Sequence, residues 1–264
     1  MSFGISDLSI IPMRREKSER SEMVSQVLFG ELYEVLEATE KWVCIRLIHD
    51  GYEGWIDRKM HRAVPDEYAG RYLNEEQVLA TEVFNIVTKD GDYGNKLLVS
   101  GSVFPFFDAD TKKMVLGEDT YTLVSKIKDV GIDSLRDLII GYALMYYNTP
   151  YLWGGRSPYG VDCSGLSQVV YRMAGINIPR DASQQVLCGQ DFSFVEEALP
   201  GDLAFFGDET GTITHVGIIW EQNRIIHASG KVRVDKIDHQ GIFNEDLKRY
   251  THNLKVIKRI IEEG

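Results

Sequence analysis

The sequence predicts an α+β domain, in which helices pack on an antiparallel sheet, preceded by two small all-β barrels. Residues 1–62 and 78–128 contain short apolar runs separated by turn residues, a pattern typical of small barrels. From residue 132 the apolar residues recur at helical spacing, and strand-like runs follow them. We therefore expect a first barrel at 1–62, a linker and second barrel at 63–130, and an α+β domain at 131–264.

The composition is that of a soluble globular protein with room for two or three domains. Of the 264 residues, 44% are hydrophobic and 26% are charged, and the formal net charge is −11. This acidic balance argues against nucleic acid or an anionic membrane as the main partner. The start of the chain lacks the pattern of a secretion signal, and no window is long enough for a transmembrane helix. We therefore expect a cytoplasmic protein; the sequence does not indicate its oligomeric state.

The three cysteines form neither a disulfide framework nor a zinc-finger pattern. Cys44, Cys163 and Cys188 are odd in number and lack C-x-x-C spacing. Cys44 lies within a predicted strand, which suggests a core residue. Cys188 has no helix cap and no nearby base, which suggests a structural role.

The first segment, residues 1–62, contains five predicted strands. They are Leu8–Met13, Val24–Leu28, Leu32–Glu37, Trp42–Leu47 and Gly54–Ile56. A loop of paired charges, a Gly-Glu turn, and the Trp-Val and Gly-Trp-Ile segments together resemble a bacterial SH3-like domain.

The second segment begins with polar residues 63–77, which predict a linker with room for a helical turn. Its predicted strands are Thr81–Val87, Lys96–Val99, Val103–Phe107 and Tyr121–Val124, and they weakly resemble a second SH3-like barrel. The run Asp108–Thr111 predicts a turn, because the glycine and glutamate of a calcium-binding EF-hand loop are missing.

Two helices open the α+β domain. An apolar stripe from Leu135 to Tyr146 predicts the first, capped by Asp133 or Ser134. The glycine-rich loop 151–160 predicts no regular element before Val161, and Asp162 then occupies the N-cap position of a second helix. Cys163 falls in the first turn of that helix, where free N–H groups and the helix dipole favour the nucleophilic thiolate. The alternative is a buried structural cysteine.

A predicted hairpin brings two histidines together. The predicted strands are residues 203–206, 214–220, 224–229, 232–237 and 254–261. If Glu221–Asn223 is a three-residue loop, Trp220 pairs with Arg224 and Gly217 with His227. His215 and His227 then share a face, about 7–8 Å apart at Cβ, and Gly217 leaves room for a ring. A two-residue loop would place the histidines on opposite faces.

These residues fit nucleophilic catalysis. A cysteine nucleophile needs a base, and the base needs a third group that fixes its tautomer. Cys163, His215 and His227 supply the three roles, since histidine works as a base near neutral pH. A zinc site made of the same residues is the alternative, but it lacks short ligand spacing and an obvious fourth ligand.

Four motifs span residues 151–229 in order: Tyr-x-Trp-Gly-Gly, Asp-Cys-Ser-Gly, His-Val-Gly-Ile and Ile-His-Ala-Ser. Together they resemble the NlpC/P60 family of papain-like cysteine peptidases. The resemblance implies Cys163 as nucleophile, His215 as base, His227 as the orienting residue, and cleavage of bacterial cell-wall peptides. With SH3-like domains ahead, the chain resembles the γ-D-glutamyl-L-diamino acid endopeptidases, which cut after L-Ala-γ-D-Glu.

The same resemblance implies substrate-binding residues. Tyr151 matches the tyrosine near the oxyanion position, and Ser164 and Asp181 match residues that hold the free amino end of the peptide. Tyr52, from the first SH3-like domain, matches a tyrosine that closes this amine pocket. The alternatives are a helix cap for Asp181 and a barrel aromatic for Tyr52.

The resemblance therefore implies hydrolysis of released murein tripeptides or tetrapeptides during cell-wall recycling, with no metal or cofactor. One alternative is a secreted hydrolase that acts on intact wall; another is a wall- or peptide-binding protein with a silent site. Acyl transfer also stays open, as does the choice between L-Lys and diaminopimelate in the substrate.

Overall fold

The chain divides into two compact units, residues 1–130 and 131–264. The computed structural model describes residues 2–125 and 134–261. Each unit has its own buried apolar clusters. No helix within the described ranges is both long and apolar enough to cross a membrane.

A seven-stranded antiparallel sheet opens the first unit. Its strands are β1 (Ser2–Ile5), β2 (Ile10–Arg14), β3 (Met23–Leu28), β4 (Leu32–Ala38), β5 (Trp42–Leu47), β6 (Glu53–Asp57) and β7 (Ala63–Val64), in the order β3-β2-β6-β5-β4-β1-β7. All five predicted strands are present, whereas β1 and β7 were not predicted because each is short and β1 is interrupted by Gly4.

Cys44 is not a core residue. Along β5 the side chains of Val43, Ile45 and Leu47 are buried in the apolar cluster of this sheet. Successive side chains of a strand point to opposite faces, so Cys44 lies on the other face and is only partly buried.

The predicted linker contains a helix, α1 (Asp66–Asn74). Ala69 and Tyr72, three positions apart on one face, are buried in a cluster with Ile5 and Phe29 of the first segment and Leu98 of the next. Residues 63–77 are thus not only a polar connection, because two apolar side chains suffice to anchor a short helix.

The rest of the first unit is built from two small antiparallel sheets. Strands β8 (Val78–Leu79) and β11 (Val103–Phe104) form a ribbon, and β9 (Phe84–Lys89), β10 (Asn95–Val99), β12 (Lys113–Leu116) and β13 (Asp119–Leu123) form a sheet in the order β10-β9-β13-β12. A second SH3-like barrel stays a prediction. The turn predicted at Asp108 is confirmed, because its carboxylate accepts from the N–H groups of Asp110 and Thr111 at 2.9 and 3.0 Å.

Helices α2 (Leu135–Met145), α3 (Cys163–Met173) and α4 (Ala182–Gln185) belong to the second unit. Ser134 caps α2 and Asp162 caps α3, each by accepting a backbone N–H three residues on. Asp133, the other predicted cap of α2, lies outside the described residues. The glycine loop before α3 contains a two-residue ribbon, β14 (Arg156–Ser157) with β15 (Gly160–Val161), which the prediction of no regular element missed.

The antiparallel sheet of the second unit closes on itself. Strands β17 (Leu203–Gly207), β18 (Ile213–Glu221), β19 (Arg224–Ser229), β20 (Lys231–Asp238), β21 (Gly241–Asn244) and β22 (Arg249–Arg259) follow one another, and β21 also pairs with β22. Strand β16 (Gln190–Phe192) is added at β22. The prediction of helices on a sheet is therefore refined to helices packed on a closed ring of six strands.

Both faces of this ring are buried, which explains its apolar strands. Phe205 and Val216 pack in the cluster that contains the helices, whereas Phe206 and Ile219 pack in a second cluster on the opposite face. His215 and Gly217 alternate with Val216 along β18, so they lie on the face of Phe206.

We predict that Gly165→Ala destabilises the second unit. A Cβ at position 165 would lie 2.1 Å from the carbonyl oxygen of Gly155, so the loop would have to move. We expect a loss of about 1–3 kcal/mol, measured as a lower calorimetric unfolding temperature. The control is Gly70→Ala in α1, where a Cβ meets nothing within 4 Å; a Gly165→Ala protein that unfolds no earlier than this control would contradict the prediction.

Candidate active site

Asp162 joins the three segments that surround Cys163. Its carboxylate accepts from the N–H of Gly165 at 2.7 Å, which caps α3, and from the N–H of Gly154 at 2.8 Å, which holds the glycine loop. Arg180, which precedes α4, donates to both carboxylate oxygens at 3.0 and 2.7 Å. The two side chains are almost completely buried, so this is a bidentate ion pair in a low-dielectric environment. Sequence reasoning identified the cap but missed Arg180.

The structure places Ser164, Asp181 and Tyr151 near this network. The Ser164 hydroxyl accepts from Arg180 at 2.9 Å. Asp181 occupies the N-cap position of α4, as the alternative interpretation required, but its side chain makes no cap hydrogen bond. Tyr151 interacts electrostatically with Cys163 and Asp162, and burial is the main cause that raises the pKa of its hydroxyl to about 12. Tyr151 therefore keeps its proton and can donate a hydrogen bond near neutral pH.

The predicted register of the two histidines is confirmed, although the predicted turn is wrong. Gly217 pairs with His227 as expected, and Asn223 has the expected left-handed conformation with φ 64°. The turn is one residue shorter, because Glu221 pairs with Arg224. A β-bulge between Ile219 and Glu221 compensates for the shorter turn and keeps both histidines on one face.

The histidines are the first two members of a buried hydrogen-bonded chain. His215 Nε2 lies 3.0 Å from His227 Nδ1, and His227 Nε2 lies 3.1 Å from Asp235 Oδ2. Arg233 Nε approaches the same carboxylate at 2.7 Å. Gly217 makes the arrangement possible, since a Cβ there would lie 2.9 Å from the Cβ of His227. Sequence analysis missed Asp235 and Arg233. Because residues 233 and 235 share one face of the predicted strand 232–237, that strand could have placed both beside His227.

This chain fixes the tautomers of both imidazoles. The Asp235 carboxylate can only accept, so His227 carries its proton on Nε2 and offers Nδ1 as an acceptor. His215 must then donate from Nε2, which leaves the lone pair on its Nδ1. A base with a fixed orientation and a bare nitrogen is the form needed to take a proton from a thiol.

A third histidine, His252 on β22, was also missed. Its ring stacks on His215 with centroids 4.2 Å apart, and it meets His227 edge-on at 5.7 Å. No local pattern points to His252, because β22 is distant in the chain and joins the site only through the closure of the sheet.

The expected resting thiolate is not supported. Burial above all, and then the neighbouring Asp162 carboxylate, raise the pKa of the Cys163 thiol to about 11. The N–H groups of Val216 and Ser164, together with Arg180, lower it by less. Burial, followed by the adjacent His227 and His252, also holds the pKa of His215 well below its ordinary value. At neutral pH Cys163 is therefore a thiol and His215 a neutral imidazole. Cys163 lies next to the backbone N–H of Val216, the residue that follows His215.

Tyr52 belongs to the first unit, where it packs against the apolar cluster of the first sheet, as a barrel aromatic would. Cys188 is partly buried and follows α4. The interpretation of Tyr52 as a substrate-binding residue stays a prediction.

We predict that the rate of alkylation of Cys163 by iodoacetamide rises about tenfold per pH unit between about pH 7 and pH 10. Only the thiolate reacts, and the pKa of this thiol is raised to about 11, so the thiolate fraction grows with pH over this range. Peptide mapping by mass spectrometry separates Cys163 from Cys44 and Cys188, whose alkylation serves as an internal control. A Cys163 rate that stays constant from about pH 5 to about pH 8 would indicate a preformed thiolate and contradict the prediction.

The chain is similar to known proteins along most of its length. Residues 148–251 match the NlpC/P60 family, and residues 13–59 match the bacterial dipeptidyl-peptidase Sh3 domain. The chain is 28% identical over 256 residues to dipeptidyl-peptidase 6 of Lysinibacillus sphaericus, covering 88% of this chain and 91% of that protein. It is 29% identical over 250 residues to gamma-D-glutamyl-L-lysine dipeptidyl-peptidase of Bacillus cereus, covering 85% of this chain and 74% of that protein.

A solved structure shows the same fold. An NlpC/P60 family protein from Bacillus cereus matches with a TM-score of 0.80 at 20% identity, over 99% of this chain and all of that chain. The matched family segment contains Cys163, His215 and His227. Residues 148–251 are therefore an NlpC/P60 domain, a domain of the cysteine peptidase class, and a bacterial SH3 domain precedes it in the chain.

Proposed function

We propose that this protein hydrolyses the bond between γ-D-Glu and an L-diamino acid in murein peptides that have a free N-terminal L-Ala. The observation that carries the proposal is the buried His215–His227–Asp235 chain beside Cys163 at the start of α3. The intact nucleophile and base favour an enzyme over a binding protein with a silent site.

The reaction begins with a proton transfer. His215 Nδ1 takes the thiol proton as the sulfur of Cys163 attacks the γ-carbonyl carbon, and the carbonyl oxygen becomes an oxyanion. The backbone N–H of Cys163 and the hydroxyl of Tyr151 donate to this oxyanion. His215 then gives its proton to the leaving amine, and the C–N bond breaks to form a thioester.

Hydrolysis of the thioester completes the cycle. His215 takes a proton from water, the hydroxide attacks the thioester carbon, and the sulfur of Cys163 leaves and regains its proton. During both steps His215 is transiently an imidazolium. Its Nε2–H stays hydrogen-bonded to His227, whose Nε2–H is held by the charged Asp235.

The substrate's free amino end is the proposed source of specificity. A carboxylate at Asp181 pairs with the α-ammonium of L-Ala, and Ser164 contributes to the amine pocket. An acylated amino end would leave a charged carboxylate buried without its partner, which is unfavourable. The names of the two curated relatives, both dipeptidyl-peptidases, support action at a free amino end.

The biological role follows from this specificity. Peptides with a free L-Ala amine arise after the wall has been degraded, so we propose a role in recycling released peptides in the cytoplasm. Since one relative is named for γ-D-glutamyl-L-lysine, we propose L-Lys as the diamino acid. Comparison with the diaminopimelate peptide tests this choice.

We predict cleavage of L-Ala-γ-D-Glu-L-Lys but not of its N-acetylated form, because only the free amine pairs with Asp181. Product release is measured by chromatography, with Cys163→Ala as the inactive control. Asp181→Asn should raise KM for the free peptide more than it lowers kcat.

Each other outcome points to a different function. Equal cleavage of both peptides would overturn the amine pocket and favour a hydrolase of intact wall. Transfer of the dipeptide to an added amine would indicate acyl transfer. No cleavage of either peptide, combined with wall binding by Cys163→Ala, would favour a binding protein.

We predict that Asp235→Asn lowers kcat roughly 10²–10⁴-fold with little change in KM, by analogy with the loss of an orienting aspartate in other triads. Because Arg233 donates to position 235, the new amide group would present its NH₂ to His227 and favour the wrong tautomers. The matched control is Asp246→Asn, which neutralises the other, exposed carboxylate of Arg233, 2.9 Å from Nη2. Similar kcat values for the two variants would show that Asp235 does not position the histidines.

A further inference from the structure

Three histidines converge in the second unit, one more than the proposed peptidase reaction uses. His215, His227 and His252 come from strands β18, β19 and β22, and each offers a ring nitrogen within 4.8 Å of the others. The first two act in the proposed reaction, whereas His252 has no assigned role. Since His215 and His227 are buried and His252 is partly exposed, the group is reachable from the His252 side.

The donor atoms and their spacing suit a zinc ion. Zinc binds imidazole nitrogen at about 2.0–2.1 Å with tetrahedral geometry, which places ligand nitrogens about 3.3 Å apart. His215 Nε2 and His227 Nδ1 are already 3.0 Å apart. The ring nitrogen of His252 lies up to 4.8 Å from the other two, so it must approach them by about 1.5 Å to reach the spacing of zinc ligands. Rotation of the partly exposed His252 side chain can supply this displacement.

Two of the rings also have the outer partners typical of zinc ligands. Asp235 accepts from Nε2 of His227, which directs Nδ1 toward the cluster. Thr251 Oγ1 lies 2.9 Å from Nδ1 of His252, which leaves Nε2 of that ring as the ligand atom. Magnesium and calcium prefer oxygen ligands, so an all-imidazole group discriminates against them.

We propose that Zn²⁺ binds His215, His227 and His252 and reversibly switches the peptidase off. Zinc occupies the position of the proton shared by His215 and His227. The proton of His215 then resides on Nδ1, so this nitrogen no longer accepts the proton of Cys163. The fourth ligand is a water molecule. The inhibitory effect rests on the proposed role of His215 as base, whereas the binding itself does not.

The experiment measures zinc binding without catalysis. Cys163→Ala removes the thiol, which could bind zinc by itself, and competition with a chromophoric chelator gives the affinity. In that background His252→Gln and His252→Phe remove the third ligand, and Phe retains an aromatic ring against His215. The control is His239→Gln, since His239 is exposed in the turn between β20 and β21.

We expect the Cys163→Ala protein to bind one zinc per chain. Both His252 variants should weaken binding at least about 100-fold, and His239→Gln should leave it unchanged. Co²⁺ bound at the site should give the intense visible absorption of tetrahedral coordination. In the native protein, zinc but not magnesium should stop peptide cleavage, and a chelator should restore it.

Three results would overturn the site: no stoichiometric binding by Cys163→Ala, equal affinity in the His252 variants, or the weak absorption of octahedral Co²⁺. A different result would separate the two proposals: zinc binding depends on His252, but the native protein cleaves no peptide. That result would overturn the proposed function and leave the metal site standing.

Discussion

The ion pair between Asp162 and Arg180 is the interaction on which the candidate active site depends. One carboxylate caps α3, holds the glycine loop through Gly154, and pairs with a guanidinium from the segment before α4. Because the pair is buried and fully hydrogen-bonded, removing one partner would leave an uncompensated charge inside the protein, an effect of about 3–5 kcal/mol. The position of Cys163 relative to the loop is therefore set by a single charged group.

That carboxylate has a second consequence, because its negative charge lies beside Cys163, the proposed nucleophile. It acts with burial to raise the pKa of Cys163, against the N–H groups that face the sulfur. The site therefore does not depend on a stable thiolate. Instead, the hydrogen bonds from His215 to Asp235 hold a neutral imidazole ready to accept the proton. In the proposed reaction, charge develops only as His215 takes the thiol proton, and the preformed chain stabilises the imidazolium that results.

Local sequence rules predicted the parts of the site that are close together in the chain. The cap at Asp162, the first-turn position of Cys163 and the shared face of His215 and His227 are each fixed by the identity of a few neighbouring residues. The same rules failed at the turn, since a two-residue loop and a β-bulge give the same register as the three-residue loop that was expected. At α1 they allowed a helical turn but not a packed helix, because only Ala69 and Tyr72 distinguish such a helix from a polar linker.

The features that could not be predicted depend on sheet closure. Strand β22 pairs with β17 through Leu203–Phe206 and with β21 through Gly241–Asn244, so it completes the ring of six strands. Phe206 on β17 lies opposite His215 on one side and Leu254 on the other, and its ring contacts both His215 and His252.

His252 thus reaches His215 across an intervening strand, a relation that no short-range spacing encodes. The same closure that buries the apolar interior of the ring gives His215 a second imidazole neighbour. Since the apolar clusters on both faces stabilise the ring, His252 is held beside His215 by the fold itself. The proposed site for a regulatory metal therefore arises because His252, which the proposed reaction does not require, joins two histidines that it does require.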